Sequence, residues 1–196
     1  MLDAIKYGLC NLFNLNGRDA RQTFWYFVLL VFIVRTVLGV VIAVPMVIHM
    51  FGSVVEVAKT GAAADPAYIQ ARMMGSLAED LPKIMWASVA IALVSGVAVL
   101  PSLVRRLHDS DLSGWWAALP AVLYVFALHN APAQMQRVIK VMVTMDPAHP
   151  PSQLQMMQSQ GFTGLLTYVA LGLIIYAGVR KSTPGPNRYG DAPVSF

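Results

Sequence analysis

The feature that most constrains this chain is an apolar run at residues 24–48, which contains a single charged side chain, Arg35. At 1.5 Å per residue, a helix of this length crosses a hydrocarbon core of about 30 Å with some tilt. Two further apolar runs, at 84–104 and 161–179, are rich in small residues that permit close contact between helices. The sequence therefore predicts an integral membrane protein.

The composition excludes most other classes of protein. Hydrophobic residues make up 57% of the chain and charged residues only 12%, whereas about a quarter of a soluble domain is charged. The single cysteine, Cys10, permits no internal disulfide. The net charge of +4 is typical of basic loops that face anionic lipid. We expect membrane lipids as partners, and neither nucleic acid nor a cofactor.

The segment 115–130 is shorter and contains Pro120, so its length alone does not decide whether it crosses the membrane. The distribution of Lys and Arg favours a crossing. With four crossings, three polar segments share one side of the membrane and hold eight of the 14 basic residues. The positive-inside rule assigns that side, with both termini, to the cytoplasm. These segments are 1–23, 105–114 and 180–196.

The remaining segments also have helical character. Leu2, Ile5, Leu9 and Phe13 recur on one face, which predicts a short helix on the membrane surface. The two outer segments are too long for simple turns and should contain helices. The predicted fold is an all-α, multi-span membrane helix bundle with an N-terminal interfacial helix, four transmembrane helices at about 24–48, 84–104, 115–130 and 161–179, and partly helical outer loops at 51–83 and 131–160.

Three polar segments on the predicted cytoplasmic side carry dense motifs. The first reads GRDARQTFWYF from residue 17, the second RRLHDSDLSGWW from residue 105, and the third PGPNRYGDAP from residue 184. In this order they resemble the hallmark blocks of a bacterial inner-membrane family called domain of unknown function 805. The resemblance implies a small multi-span inner-membrane protein and brings no established activity. The chain departs from the family at Thr23, where an acidic residue is common, and in its longer outer segments.

We predict that the three segments, 14–23, 105–114 and 180–196, form a polar cap over the helix ends. One hypothesis is that four arginines converge there to bind an anionic headgroup or another anion through bidentate guanidinium geometry. The other interpretation is that Arg18 and Arg21 sit at the lipid headgroups while Trp25 and Tyr26 anchor the interface, and the two interpretations are compatible. The four arginines are Arg18, Arg21, Arg105 and Arg106.

The rest of the predicted cap has a structural role. Asp109 and Asp111 can pair with the arginines, and Ser110 or Ser113 can cap a helix that begins near Trp115. The C-terminal motif has turn residues and no apolar surface, so it either docks against the loop at residue 108 or is a mobile tail. The residues expected to form this cap are His108, Asp109, Ser113, Trp115, Trp116, Asn187, Arg188 and Tyr189.

Two chemical hypotheses are weaker. His108 beside Asp109 resembles the ligand pair of metal-dependent phosphohydrolases, but the other histidines are predicted on the opposite side of the membrane. We therefore expect no metal site and no catalytic residue. Soft thioether ligands such as Met142 and Met145 could bind copper(I), although methionine also fills apolar helix faces.

Arg35 lies ten residues beyond Trp25, about 15 Å along a helix and near mid-membrane. An intramembrane charge is a functional candidate, with Ser95, Thr167 or Tyr168 as partners. Snorkelling to the interface is the alternative.

The leading functional hypothesis is a non-enzymatic membrane protein whose cap binds anionic lipid or a protein partner. The alternative is a small transporter or channel subunit, since Arg35 and the small residues of two spans could line a polar path. Four short spans would need a second copy of the chain, or another membrane protein, to enclose such a path.

Overall fold

The computed structural model describes residues 1–59, 66–143 and 153–193. This part of the chain is helical and contains no β-strand, so the prediction of an all-α protein is confirmed. Its elements, in chain order, are α1 (Leu2–Cys10), α2 (Arg21–Lys59), α3 (Pro66–Asp109), a 3-10 helix (Gly114–Ala117), α4 (Ala118–Val143) and α5 (Gln153–Val179).

The helices extend well beyond the apolar runs that predicted them. α2 continues to Lys59 and α3 begins at Pro66, so the described part of the predicted loop 51–83 continues these two helices. α4 likewise runs to Val143. A helix satisfies its own backbone hydrogen bonds, so it can continue beyond its apolar run. The end of an apolar run therefore does not mark the end of a helix.

Two described helical segments are long and apolar enough to cross a membrane. They are α2 and the Gly75–Asp109 part of α3, while Gly164–Val179 in α5 is a shorter apolar helix. Four crossings therefore stay a prediction. The copper hypothesis rests on Met142 and Met145, which lie outside the residues whose side chains the structure describes.

The helices pack mainly as two pairs, α2 with α3 and α4 with α5, and α3 also contacts α4. Two polar contacts join the last part of α2 to the first half of α3. His49 Nδ1 lies 2.8 Å from Asp80 Oδ2, and Arg72 Nη2 lies 2.8 Å from Glu56 Oε2. Three of these four side chains are more than half exposed, so the contacts add little to stability in water.

Where α2 begins and α3 ends, the helices pack around an apolar cluster. Gly178 lets α5 approach α2 here, because a Cβ at this position would lie 2.6 Å from Trp25 Cζ2 and 2.9 Å from Phe24 Cε1. Gly8 of α1 likewise faces the ring of Phe27. The cluster consists of Phe24, Leu103, Leu107, Ala117 and Ala177.

Gly178→Ala should therefore destabilise the protein. The new methyl group overlaps two packed rings, and overpacking of this kind costs about 1–3 kcal/mol. Gly172→Ala, also on α5, is the matched control because nothing lies within 4 Å of its Cβ position. Thermal unfolding in detergent should show a lower midpoint for Gly178→Ala alone. Equal midpoints would contradict the close packing of α5 on α2.

Candidate functional site: a buried polar cap

The three polar segments of the sequence meet where α3 ends and α2 begins. Four of the largest fully buried side chains of the described chain are charged and lie here: Arg105, Arg106, Asp19 and Asp109. Buried charges are costly unless they are paired and hydrogen-bonded, so the partners of these groups define the site. We call the described parts of these segments the cap, which comprises residues 14–23, 105–114 and 180–193.

Asp109, the last residue of α3, joins all three segments. Its Oδ1 accepts hydrogen bonds from Arg18 Nε at 3.1 Å and from Arg18 Nη2 at 2.9 Å. Its Oδ2 accepts one from Arg106 Nη1. The backbone carbonyl of Asp109 accepts from the amide of Thr183 at 2.8 Å. The buried carboxylate of Asp109 is thus shared by two guanidinium groups, and its backbone carbonyl anchors the C-terminal tail.

A second ion pair binds the connection between α1 and α2 to α3. Arg105 donates to both carboxylate oxygens of Asp19, at 2.8 and 3.2 Å, in the bidentate geometry that makes such pairs strong. Ser102 Oγ donates to Asp19 Oδ2 at 2.7 Å. Arg105 Nη1 also donates to the carbonyls of Asn11 and Asn14. Arg105 therefore holds the connection between α1 and α2 at two places, at Asp19 and at the carbonyls of Asn11 and Asn14.

The tail after α5 is held through its backbone. Arg18 reaches three of its carbonyls at 2.7–3.3 Å, and Arg106 reaches two near the end of α5. The last carbonyls of a helix lack partners within it and carry partial negative charge, so a guanidinium group that donates hydrogen bonds to them is favourable. The accepting carbonyls within the described chain belong to Gly178, Arg180, Thr183, Gly185 and Gly190.

Side chains of the tail also dock against the end of α3. Asn187 Nδ2 donates to the carbonyl of His108 at 2.9 Å. The rings of His108 and Tyr189 stack with centroids 3.8 Å apart and an interplanar angle of 6°. Arg188 lies over the Tyr189 ring and pairs with Asp111 at 3.2 Å on the surface. The C-terminal motif thus lies against the end of α3.

The turn between α3 and the 3-10 helix is shaped by two small residues. Ser113 is the N-cap, and its Oγ accepts from the amide of Trp115 at 3.4 Å. A Cβ on Gly114 would lie 2.8 Å from Val104 Cγ1 and 2.9 Å from His108 Nε2. Ser110, the other candidate for the N-cap residue, is buried, and its Oγ has no hydrogen-bond partner in the described chain.

Arg21, Trp115 and Trp116 lie at the rim of the cap instead of its interior. Arg21 is exposed and donates from Nε to the carbonyl of Arg180 at 2.9 Å. The side chains of Trp115 and Trp116 are 84% and 61% exposed. The four arginines of the anion-binding hypothesis are therefore divided, with one on the surface and three buried against internal acceptors.

Burial also shifts the pKa of His108 in the cap and of Tyr7 on α1. The pKa of His108 lies below its ordinary value, chiefly because burial disfavours the charged ring, although its hydrogen bond with Gly17 opposes the shift. Burial therefore favours the neutral form of the His108 ring. Burial, with help from the charge of Asp19, raises the pKa of Tyr7.

The His108 and Asp109 pair does not act as a unit. The Asp109 carboxylate is occupied by Arg18 and Arg106, while His108 Nδ1 lies 3.3 Å from the carbonyl of Gly17. In the described ranges, no group of three His, Cys, Asp or Glu residues is placed to hold a metal ion. This geometry gives no support to a metal-dependent phosphohydrolase.

Sequence reasoning did not identify two members of the site. Asp19 supplies the carboxylate for Arg105, and Ser102 hydrogen-bonds to it. The signal for Asp19 was present, since it is the one acid among the basic residues of its segment. The carboxylate comes from position 19 rather than from Thr23, which is buried and whose Oγ1 has no hydrogen-bond partner in the described chain.

Asp109→Asn should be among the most damaging substitutions in the cap. Removing this charge leaves Arg18 and Arg106 buried without a counter-ion, which costs about 3–5 kcal/mol. Asp111→Asn is the control, because Asp111 pairs on the surface and asparagine also tolerates its positive φ of 56°. Thermal unfolding in detergent should separate the two variants clearly. Similar losses in both would contradict the central role of Asp109.

Asn187→Ala should loosen the tail. The substitution removes the hydrogen bond that Nδ2 donates to the carbonyl of His108 and the one that Oδ1 accepts from the amide of Tyr189. The bond to His108 alone is worth about 1 kcal/mol, which corresponds to a roughly fivefold increase in the open form. Chymotrypsin cleavage after Tyr189 should accelerate by that factor. Asp191→Asn, an exposed change in the same tail, should leave the rate unchanged. A rate for Asn187→Ala equal to that of the unmodified chain would show that the tail is not held by this contact.

Comparison with known proteins places the chain in a family. The family described as Protein of unknown function (DUF805) matches residues 12–191. No curated protein and no solved structure gives a significant match. The family match includes the whole of α2 through α5 and nearly the entire cap. The chain therefore belongs to the DUF805 family, whose function is unknown.

Proposed function

We propose that this chain is a non-enzymatic, four-span protein of the bacterial inner membrane, with both termini in the cytoplasm, whose cap binds anionic lipid headgroups through its exposed rim. The spans are those expected from the sequence, at about 24–48, 84–104, 115–130 and 161–179. The observation that carries the proposal is the division of the basic side chains. Those inside the cap have internal acceptors, and those at its edge are exposed.

Besides Arg188, which pairs with Asp111, three exposed cations lie at the cap end. Lys6 lies on α1, Arg21 starts α2, and Lys181 follows α5, and all three are exposed. Each Lys or Arg near an anionic membrane surface contributes about 1 kcal/mol of attraction. We define Lys6, Arg21 and Lys181 as the basic rim. Three such charges around one cap favour lipids such as phosphatidylglycerol over zwitterionic ones.

Apolar and aromatic side chains next to the basic rim support the same function. Leu2, Leu9 and Phe13 of the N-terminal segment are exposed, and Phe13 is 92% so. The opposite side of α1 is buried, with Gly8 against Phe27. An amphipathic helix of this kind lies in the interface with its apolar face in the lipid. Exposed Trp115 is suited to the same depth.

This proposal revises the anion-binding hypothesis of the sequence analysis. Arg18, Arg105 and Arg106 direct most of their N–H groups at internal carboxylates and carbonyls, which leaves them little capacity for a ligand. We assign them to holding the cap together. Headgroup binding then falls to the basic rim.

Native mass spectrometry of the full chain can test this function. In mixed phosphatidylglycerol and phosphatidylcholine, the unmodified protein should retain the anionic lipid preferentially. Replacing Lys6, Arg21 and Lys181 by glutamine should abolish the preference, because the attraction depends on those charges. Lys83→Gln, an exposed change near the middle of α3 and away from the cap, should preserve it. The same lipid preference in the triple variant and in Lys83→Gln would refute headgroup binding at the rim.

A further inference from the structure

Arg35 presents a charge at mid-helix with little to balance it. Its Nη1 donates to Tyr124 Oη at 3.2 Å, and no carboxylate or other acceptor contacts it within the described residues. Ser95, one of the partners expected from the sequence, instead donates to the carbonyl of Ile91 on its own helix. A phenol accepts a hydrogen bond but does not neutralise a cation. The remaining N–H groups of Arg35 are therefore available to bind a ligand.

Tyr124 is itself held in place by α3. Its hydroxyl donates to the carbonyl of Ala92 at 2.9 Å, so its one hydrogen is used and a lone pair faces Arg35. Its ring lies against Gly96, where a Cβ would come within 2.7 Å of Tyr124 Cε1. α2, α3 and α4 thus converge on one fixed polar point, which orients the guanidinium group.

The surroundings of Arg35 on α2 are open and apolar. Phe32, Val34 and Leu38 are exposed, as is Arg35 itself. Arg35 lies ten residues from Trp25, which is about 15 Å along the helix. If α2 crosses the membrane as proposed above, these apolar neighbours face acyl chains. A cation there carries a large desolvation cost that a bound anion would offset.

We propose that Arg35 and Tyr124 form a second binding site, within the membrane, for a phosphate group. A guanidinium group binds phosphate in a bidentate manner with its free N–H groups, and the Tyr124 hydroxyl fixes its orientation. The phosphate is either the headgroup of an anionic lipid that enters from the open side of α2 or a free phosphate ion. The site rests on the crossing of α2 in the proposed function, and it is independent of the basic rim.

Thermal unfolding of the full chain in phosphatidylcholine nanodiscs tests this site. Adding phosphatidylglycerol to the discs should raise the midpoint of the unmodified chain by mass action, and Arg35→Gln should reduce that rise by about 4 °C. Arg137→Gln, another exposed arginine, should leave the rise unchanged. Tyr124→Phe keeps the ring on Gly96 and should reduce the rise by a smaller amount.

Two further measurements identify the ligand and distinguish binding at this site from binding at the basic rim. Inorganic phosphate added to discs of phosphatidylcholine alone should reproduce the Arg35-dependent rise only if the source is a free ion. The triple rim variant should keep its dependence on Arg35, even if the rim itself does not bind lipid. If neither ligand gives a rise that depends on Arg35, the phosphate site is refuted.

Discussion

Burying three guanidinium groups at one end of the helices is the constraint on which the rest of the structure depends. Each buried ion costs several kcal/mol in lost hydration unless charged and hydrogen-bonding partners surround it. Asp19 and Asp109 supply the charge, and backbone carbonyls accept many of the remaining N–H groups. These acceptors come from separate segments, so the cap forms only when both ends of the chain meet at the end of α3.

This constraint explains the uneven character of the protein. Next to the cap, Gly178 permits close packing, and the paired charges Arg105, Asp19 and Asp109 are buried. Elsewhere, long stretches of α2 expose apolar side chains, as a helix surrounded by lipid requires. The contacts at the far end of α2 and α3 are mostly exposed pairs, which stabilise weakly. Burial and close packing are therefore concentrated at the end of the helices that holds the buried charges.

The arginines illustrate how environment decides the role of a residue type. Arg18 and Arg105 are bound on several sides by the chain itself, which makes them structural. Arg21 is a surface charge suited to headgroups. Arg35 is oriented by a hydroxyl yet keeps its charge uncompensated within the chain, which makes it a candidate for an external ligand. Counting arginines in the sequence does not distinguish these three situations.

Local sequence determined the all-α class and the approximate positions of the helices, because hydropathy and helical periodicity act over a few turns. It also marked the segments of the cap, including His108 and Asn187, since polar motifs between apolar runs are conspicuous. Only the tertiary structure decided the partners. Arg105 pairs with Asp19 across 86 residues, Arg18 with Asp109 across 91, and Arg35 with Tyr124 across 89. Such pairs depend on how helices approach one another, which the composition of each separate segment does not specify.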